Sequence, residues 1–210
     1  MRKAKTVCSS IRSFFNNITE NTKEDGMKSQ LSGKFSKKDS GIFTLRKKLM
    51  KAGIEIEFPF SDGIVGEYKG IAMTFVPTPE RTFYDVELAF FEAIRRNPVH
   101  IVHNKYDKDC GYIGESASVE IAYAILHSKP VVLLYKPTFS DKVQSAVKRL
   151  IETNISNLFI KRLDLLSKQK IATYLWEAIE NFSGEYTYNT ETEISVMGCI
   201  TDLFAQYKSK

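Results

Sequence analysis

The strongest constraint on the fold is a regular alternation of short apolar runs with amphipathic segments, which begins near Ser29. The short runs have the length of strands, whereas the amphipathic segments repeat their apolar residues with the period of a helix. The run at Pro130–Tyr135 is continuously apolar, which is typical of a strand buried on both faces of a parallel sheet. The alternation therefore predicts a three-layer α/β fold of the Rossmann or flavodoxin-like kind, with a parallel sheet of about five strands and helices on both faces.

The predicted elements follow one another along most of the chain. Strands are predicted at Gln30–Lys34, Ile54–Phe60, Val99–Asn104, Pro130–Tyr135 and Leu158–Ile160. Helices are predicted at Ile42–Ala52, Phe83–Arg96, Val119–Ser128, Ser140–Thr153, Lys168–Phe182 and 190–208, and a loop at Asp107–Ser118. Because ligands of such sheets bind beyond the carboxyl ends of the strands, we expect the loops at 32–40 and 105–118 to form the binding site.

Two further segments flank the alternating pattern of residues 27–182, which is predicted to form the α/β domain. Residues 1–26 are rich in Lys, Arg, Ser, Asn and Thr, and we expect them to form a flexible or helical N-terminal extension. Residues 183–210 are predicted to form a tail or helix. They carry apolar side chains such as Val196 and Phe204, which we expect to pack on the domain or across a dimer.

The composition argues against several classes of protein. No apolar run approaches the ~20 residues that a membrane span needs, and no basic stripe interleaved with aromatic residues indicates a nucleic-acid polymer as partner. The net charge of +5 is compatible with an anionic small molecule. Three widely spaced cysteines and the lack of an apolar secretory segment favour a reducing compartment, so we expect a cytoplasmic protein with no membrane partner.

The segment from Gly111 to Ala124 has the composition of a ligand-binding turn that leads into a helix. Gly111 and Gly114 permit sharp turns and close approach of a ligand to the backbone, and Ser116 or Ser118 is a candidate N-cap. Such a cap would place Glu120 in the first helical turn, where the helix dipole favours the ionised carboxylate.

An ionised carboxylate at this edge of the sheet suits a nucleophile that attacks the anomeric carbon of a sugar, as in retaining glycosidases. The alternative is that Glu120 serves only the helix dipole, because acidic residues are common in first helical turns for that reason alone.

The same segment resembles a known family. Its sequence, Asp-Cys-Gly-Tyr-Ile-Gly-Glu-Ser-Ala-Ser-Val-Glu-Ile-Ala-Tyr-Ala at 109–124, followed by Ser-Lys-Pro-Val at 128–131, is similar to the signature of the nucleoside 2-deoxyribosyltransferase superfamily. That superfamily includes the 2′-deoxynucleoside 5′-monophosphate N-hydrolases. The resemblance covers residues 28–136 and is strongest over 109–133.

The resemblance implies a chemistry and a set of site residues. It implies cleavage or exchange of the N-glycosidic bond of a (deoxy)nucleoside or nucleoside 5′-monophosphate, with Glu120 as nucleophile and Ser116 and Ser118 lining the pocket. It also implies that no cofactor is needed and that the protein is a homo-oligomer, most simply a homodimer, in which a neighbouring subunit completes the site.

The loop after the first predicted strand is the second candidate for substrate binding. The resemblance implies that it grips the nucleotide, with backbone and hydroxyl donors from Ser32, Gly33 and Ser36 and positive charge from Lys34 and Lys37. Such a loop suits a 5′-phosphate better than an unphosphorylated nucleoside. The alternative is a solvated, lysine-rich turn, since lysine clusters are ordinary surface features.

A second carboxyl group is expected one helix earlier, because members of the resembling family carry an acid there that orients the sugar or relays a proton. The corresponding position is Phe90, which is not an acid. We favour Glu87, about one turn away, as the second catalytic residue. Glu92 and Asp85 remain alternatives, and without any second acid the chain would bind nucleotides and not turn them over.

We expect no metal site. His100 and His103 share a predicted strand but are three residues apart, so their side chains point to opposite faces of the sheet. The two alternatives to the glycosidase hypothesis are a nucleotide-sensing module without turnover and a phosphoribohydrolase of the cytokinin-activating type. Phosphoribohydrolases of that type carry a Pro-Gly-Gly-x-Gly-Thr motif, which this sequence lacks.

Overall fold

The computed structural model describes residues 26–34, 41–57, 66–68, 71–73, 78 and 80–208. Most of the predicted N-terminal extension lies outside this part of the chain, as do two of the predicted substrate-binding residues, Ser36 and Lys37. Predictions for those residues therefore stay predictions.

The centre of the molecule is a five-stranded sheet in which every neighbouring pair of strands is parallel. Its strands are β1 (Met27–Gly33), β2 (Ile54–Glu57), β3 (Val99–His103), β4 (Val131–Leu133) and β5 (Phe159–Ile160). Their order across the sheet is β2-β1-β3-β4-β5, which is the order of flavodoxin-like folds. The structure thus confirms the predicted three-layer α/β fold.

Six helices flank the sheet in the described part of the chain. They are α1 (Gly41–Lys51), α2 (Phe83–Arg96), α3 (Glu115–Leu126), α4 (Ser145–Thr153), α5 (Lys168–Asn181) and α6 (Thr190–Lys208), with short 3-10 turns at Ile155–Asn157 and Leu163–Leu165. None of these helices is both long enough and apolar enough to cross a membrane.

The helices bury two separate apolar clusters, one on each face of the sheet. Helices α1 and α5 cover one face with residues such as Leu45 and Leu175. Helices α2, α3, α4 and α6 cover the other face, where Val102 of β3 packs with Ile121 and Leu203. Helix α6 contacts α2, α3 and α4, so the predicted C-terminal helix packs on its own domain.

The structure corrects the predicted loop at Asp107–Ser118. Two short ladders form there: Lys105–Tyr106 pairs with Asp109–Cys110, and Tyr112–Ile113 pairs with Thr138–Phe139. A third short ladder joins Gly66–Tyr68 to Ile71–Met73 elsewhere in the chain. Helix α3 begins at Glu115, four residues before the predicted start at Val119, because Gly114 takes the extended conformation of an N-cap.

This earlier start overturns the expectation that Ser116 or Ser118 caps the helix. Ser116 and Ser118 lie inside the helix, so neither of them is the N-cap. The hydroxyl of Ser118 donates to the carbonyl oxygen of Glu115 at 2.6 Å, which uses its one hydrogen within the helix. The hydroxyl of Ser116 lies near that of Tyr207, a residue of the candidate site described below.

Candidate active site

The chain order of the sheet places a crevice between β1 and β3. From β1 the chain moves to β2 on one side, and it later returns to β3 on the other side, so the connections diverge at this point. Helices α2 and α3 lie side by side over these two strands, and each starts at the carboxyl edge of the sheet. Side chains from the first two turns of both helices therefore lie close to the ends of β1 and β3.

Glu120 is buried beneath the start of α3, with 8% of the residue exposed. It is the sixth residue of the helix, so the expectation that it lies in the first turn, ionised by the helix dipole, is wrong. Burial instead raises the pKa of Glu120 to about 7, because removal from water disfavours the charged carboxylate. A hydrogen bond from the hydroxyl of Ser32 acts in the opposite direction and favours the carboxylate.

Glu87 lies in the second turn of α2 and is close enough to Glu120 for their charges to interact. Burial, and then the negative charge of Glu120, raise the pKa of Glu87 to about 8. Its Oε1 atom is shielded from solvent and has no hydrogen-bond partner among the described residues. The structure thus brings together the two residues that were predicted as the catalytic pair.

The other two candidates for the second acid lie elsewhere. Asp85 is exposed and accepts hydrogen bonds from the backbone nitrogen of Thr82, at 2.8 Å, and from its hydroxyl, at 2.7 Å, so it serves the N-cap of α2. Glu92 is exposed and lies near the ring of Tyr123. Neither carboxylate interacts with Glu120, which leaves Glu87 as its partner.

The two carboxyl groups have different environments, and this difference separates their protonation states. Two neighbouring carboxylates in a buried site do not readily ionise together, because like charges repel strongly where water is excluded. The hydrogen bond from the Ser32 hydroxyl stabilises the charged form of Glu120, whereas the Oε1 atom of Glu87 has no hydrogen-bond partner among the described residues. At neutral pH Glu87 is therefore predominantly protonated, and Glu120, which has the lower pKa of the two, is the group that carries negative charge.

Below the carboxyl pair, the sheet contributes a row of buried polar side chains. Gln30 and Ser32 alternate along β1 on one face, and His100 of β3 is the register partner of Gln30. The Oγ of Ser32 and the Nε2 of His100 lie 3.0 Å apart. Burial lowers the pKa of His100 to about 3, so the imidazole is neutral at physiological pH.

Among the described residues, the pair of Ser32 and His100 has no third member of a catalytic triad. In a triad the second imidazole nitrogen is held by a carboxylate, which orients the ring and stabilises its charged form. The Nδ1 of His100 has no hydrogen-bond partner among the described residues. The hydroxyl of Ser32 forms hydrogen bonds with Glu120 as well as with the imidazole ring of His100. This arrangement favours a role for Ser32 and His100 in holding Glu120 rather than as a nucleophile and its base.

Tyr207 of α6 completes the wall of the site, and the sequence did not indicate it. Its hydroxyl lies 3.5 Å from the Oγ of Ser116, and its ring stacks against Phe83 with centroids 6.4 Å apart. Burial raises the pKa of Tyr207 well above its usual range, and the charges of Glu87 and Glu120 raise it further. The tyrosine is therefore a neutral donor beside both carboxyl groups.

Sequence reasoning also missed that Gln30 and His100 are buried next to the carboxyl pair. A usable signal was present, because the strands of a parallel sheet that is covered by helices on both faces are buried throughout, and polar residues within those strands are therefore buried as well. Tyr207 gave no comparable signal. It is far from Glu120 in sequence, and an aromatic residue at the end of an amphipathic helix is usually a packing residue.

Lys34 lies at the carboxyl end of β1, where a cation was predicted. Its Nζ atom lies 3.7 Å from the centroid of the Tyr106 ring and 5.1 Å from that of Tyr112. The ring of Tyr112 packs against Gly114, where an added Cβ would come within 3.4 Å of the ring. A solvent-exposed cation and two aromatic rings thus lie next to the start of α3.

The two remaining predicted substrate-binding glycines have packing roles. A Cβ on Gly33 would lie 2.7 Å from the carbonyl oxygen of His103, so only glycine allows β1 and β3 to end as close together as they do. Gly111 has a φ of +99°, and a Cβ there would collide with the backbone carbonyl of Lys136. Both glycines therefore allow close backbone packing around the crevice.

We compared the chain with known proteins in three ways. A scan against protein-family models finds no match for the chain, and searches of curated proteins and of solved structures likewise find none. The described residues also contain no group of three or more His, Cys, Asp or Glu side chains arranged to hold a metal ion. The class of the protein is therefore defined by its own features: a flavodoxin-like α/β fold with a buried carboxyl pair at the crevice between β1 and β3.

Proposed function

We propose that the protein cleaves or exchanges the N-glycosidic bond of a (deoxy)nucleoside or nucleoside 5′-monophosphate, with Glu120 as the nucleophile and Glu87 as the acid. The observation that carries the proposal is the buried pair itself, in which two neighbouring carboxyl groups have raised pKa values and Glu87 keeps its proton to a higher pH than Glu120. A pair of carboxyl groups whose environments separate their pKa values is the usual arrangement for splitting acid and nucleophile roles.

The first step breaks the bond between the sugar and the base. A carboxylate oxygen of Glu120 attacks the anomeric carbon and forms an ester bond, while the electron pair of the carbon–nitrogen bond leaves with the base. The carboxyl group of Glu87 donates its proton to the departing base. The products of this step are a glycosyl ester on Glu120, the free base and an ionised Glu87.

The second step releases the sugar. Glu87, now a carboxylate, takes a proton from a water molecule whose oxygen attacks the anomeric carbon, and the ester electron pair returns to Glu120. If the nitrogen of a second base attacks in place of water, the same step is a transfer. Both reactions restore a protonated Glu87 and a charged Glu120.

The surroundings of the pair support a substrate with an anionic group. Lys34 supplies an exposed positive charge at the carboxyl edge of β1, close to the start of α3. The N-terminus of a helix and a nearby lysine together favour a phosphate. Tyr106 and Tyr112 offer aromatic faces in the same region, and such faces stack on nucleobases.

The proposal is tested by incubating purified protein with a panel of nucleosides and deoxynucleosides, with and without a 5′-phosphate, and following free base by chromatography. We expect wild type to release base from at least one phosphorylated member. Glu120→Gln should release none, and Glu87→Gln should be slower by about 10²–10⁴-fold, which is the usual contribution of a general acid. A 2′-fluorinated substrate should leave a glycosyl adduct on the peptide that contains Glu120.

Glu92→Gln is the matched control, because Glu92 is an exposed carboxylate on the same helix as Glu87. It should retain wild-type activity. Base release that survives Glu120→Gln unchanged would rule out Glu120 as the nucleophile. No release from any member of the panel would contradict the proposed activity altogether.

A further inference from the structure

We propose that His100 is a positioning residue that fixes the Ser32 hydroxyl as a hydrogen-bond donor to the Glu120 carboxylate. The consequence for catalysis rests on the function proposed above, whereas the hydrogen-bond arrangement itself does not. Neither Ser32 nor His100 needs to touch the substrate for this role, because both act through Glu120.

The argument begins with the single hydrogen of the serine hydroxyl. The Oγ of Ser32 has two polar neighbours, the carboxyl group of Glu120 and the Nε2 of His100, the second at 3.0 Å. A hydroxyl donates one hydrogen bond and accepts others. If Ser32 donates to Glu120, it must accept from His100, and that requires the tautomer of His100 with hydrogen on Nε2.

The opposite arrangement is less favourable for two reasons. It would direct the Ser32 hydroxyl away from a charged acceptor, and hydrogen bonds to ionised groups are about twice as strong as those between neutral groups. It would also place a hydrogen on the Nδ1 of His100, which is buried and has no acceptor among the described residues. Buried N–H groups without a partner are rare in folded proteins.

The position of His100 is well suited to a fixed donor. Its backbone lies in the middle strand of the sheet, and the register pairs it with Gln30 on one side and Val131 on the other. The residue is completely buried, and its burial keeps the imidazole neutral. The donor to Ser32 is therefore present over the whole range of pH in which Glu120 titrates.

Other groups around Glu120 also influence its charge, and the test must separate them from His100. Glu87 of α2 is close enough for its charge to interact with that of Glu120, and Tyr207 of α6 is a neutral donor. Glu115 lies one turn earlier on α3 and interacts with the same tyrosine. The charged residues of α4 are exposed: Lys148, Arg149 and Glu152.

The decisive measurement is the titration of Glu120 by carbon NMR of protein labelled at the glutamate carboxyl carbons, with Glu120→Gln used to assign the signal. We expect Ser32→Ala to raise the pKa of Glu120 by about one pH unit, because it removes a donor to a charged group. His100→Phe should raise the pKa by less, because the Ser32 hydroxyl keeps its hydrogen but loses the N–H that orients it, and the double variant should raise the pKa no further than Ser32→Ala does. His100→Gln is the matched control, since its amide keeps a donor near the position of Nε2.

Two results would overturn the proposal: an unchanged titration of Glu120 in His100→Phe, or the same titration in His100→Phe and His100→Gln. If His100→Phe does not fold, nitrogen NMR of the imidazole in wild type decides, because the proposal requires the hydrogen on Nε2. The titration needs no substrate. A shifted pKa of Glu120 in His100→Phe without base release by wild type would refute the glycosidase and support the positioning role. Base release by wild type with an unshifted pKa in His100→Phe would support the glycosidase and refute the positioning role.

Discussion

At the scale of single residues, the main feature is the cost of burying two acids beside each other. An ordinary glutamate ionises near pH 4.5, whereas burial moves the pKa of Glu120 to about 7, and burial together with the negative charge of Glu120 moves the pKa of Glu87 to about 8. Between those values the folded protein holds protons that the unfolded chain has released. Folding stability therefore falls as the pH rises from about 4.5 to about 8.

This linkage predicts that Glu87→Gln stabilises the protein relative to wild type at pH 8, but much less at pH 5. The expected difference between the two conditions is on the order of 1–3 kcal/mol, because the neutral side chain at position 87 takes up no proton on folding. Urea unfolding at both values of pH measures it. Glu92→Gln should show no such dependence, and a Glu87→Gln variant less stable than wild type at pH 8 would contradict the description of the pair.

At the scale of elements, the position of Glu120 depends on how the chain enters α3. The backbone nitrogen of Gly111 donates to the carbonyl oxygen of Asn104 at 2.7 Å, and its carbonyl oxygen accepts from the nitrogen of Thr138 at 2.8 Å. These bonds tie the segment before α3 to the end of β3 and to the segment after β4. Hydrogen bonds to two different segments therefore fix the position at which α3 starts.

Gly111→Ala should therefore be more destabilising than an alanine at another glycine with positive φ. Gly184 is the matched control, because it has a φ of +76° and no heavy atom within 4 Å of an added Cβ. We expect Gly184→Ala to lose about 1–2 kcal/mol to backbone strain alone. Gly111→Ala should lose about 1–3 kcal/mol more, because its Cβ meets the backbone of Lys136. Equal losses in thermal unfolding would argue against this packing.

At the scale of the whole molecule, α6 is part of the domain core. Val196, Cys199, Ile200 and Leu203 are all buried against residues of α2, α3 and α4. The same helix carries Tyr207 to the carboxyl pair. We therefore expect α6 to fold together with the rest of the domain, in the same cooperative step that forms the candidate site.

Two substitutions on α6 test that cooperativity. Leu203→Ala removes a side chain that is only 4% exposed and should lower the free energy of unfolding by about 2–4 kcal/mol. Ile194→Ala, at a position that is 67% exposed, should change it by less than about 0.5 kcal/mol. Denaturant unfolding followed by circular dichroism should show one transition in both. A separate transition for α6 in Leu203→Ala would show that the helix folds independently.

The sequence predicted the layers of this molecule better than the details of its site. Amphipathic periodicity predicted α2 at Phe83–Arg96 with the observed bounds, because apolar residues facing a sheet repeat regularly. The start of α3 was missed because the glycines and serines before Glu120 favour turns, and only the ladders on either side of Gly111 show that the turn ends at Gly114. The role of His100 depends on strand register, which local patterns do not determine.

The buried carboxyl pair also bears on how such a chain is maintained under selection. Most stabilising changes are easy to find, and here replacement of Glu87 by a neutral residue is an obvious one. Selection for a robust fold alone would therefore tend to erase the pair, since two apolar residues would fill the same space between α2 and α3 without proton-linked destabilisation. A protein that keeps both acids retains a less stable fold than its architecture allows, and an activity that needs those acids would account for the trade-off.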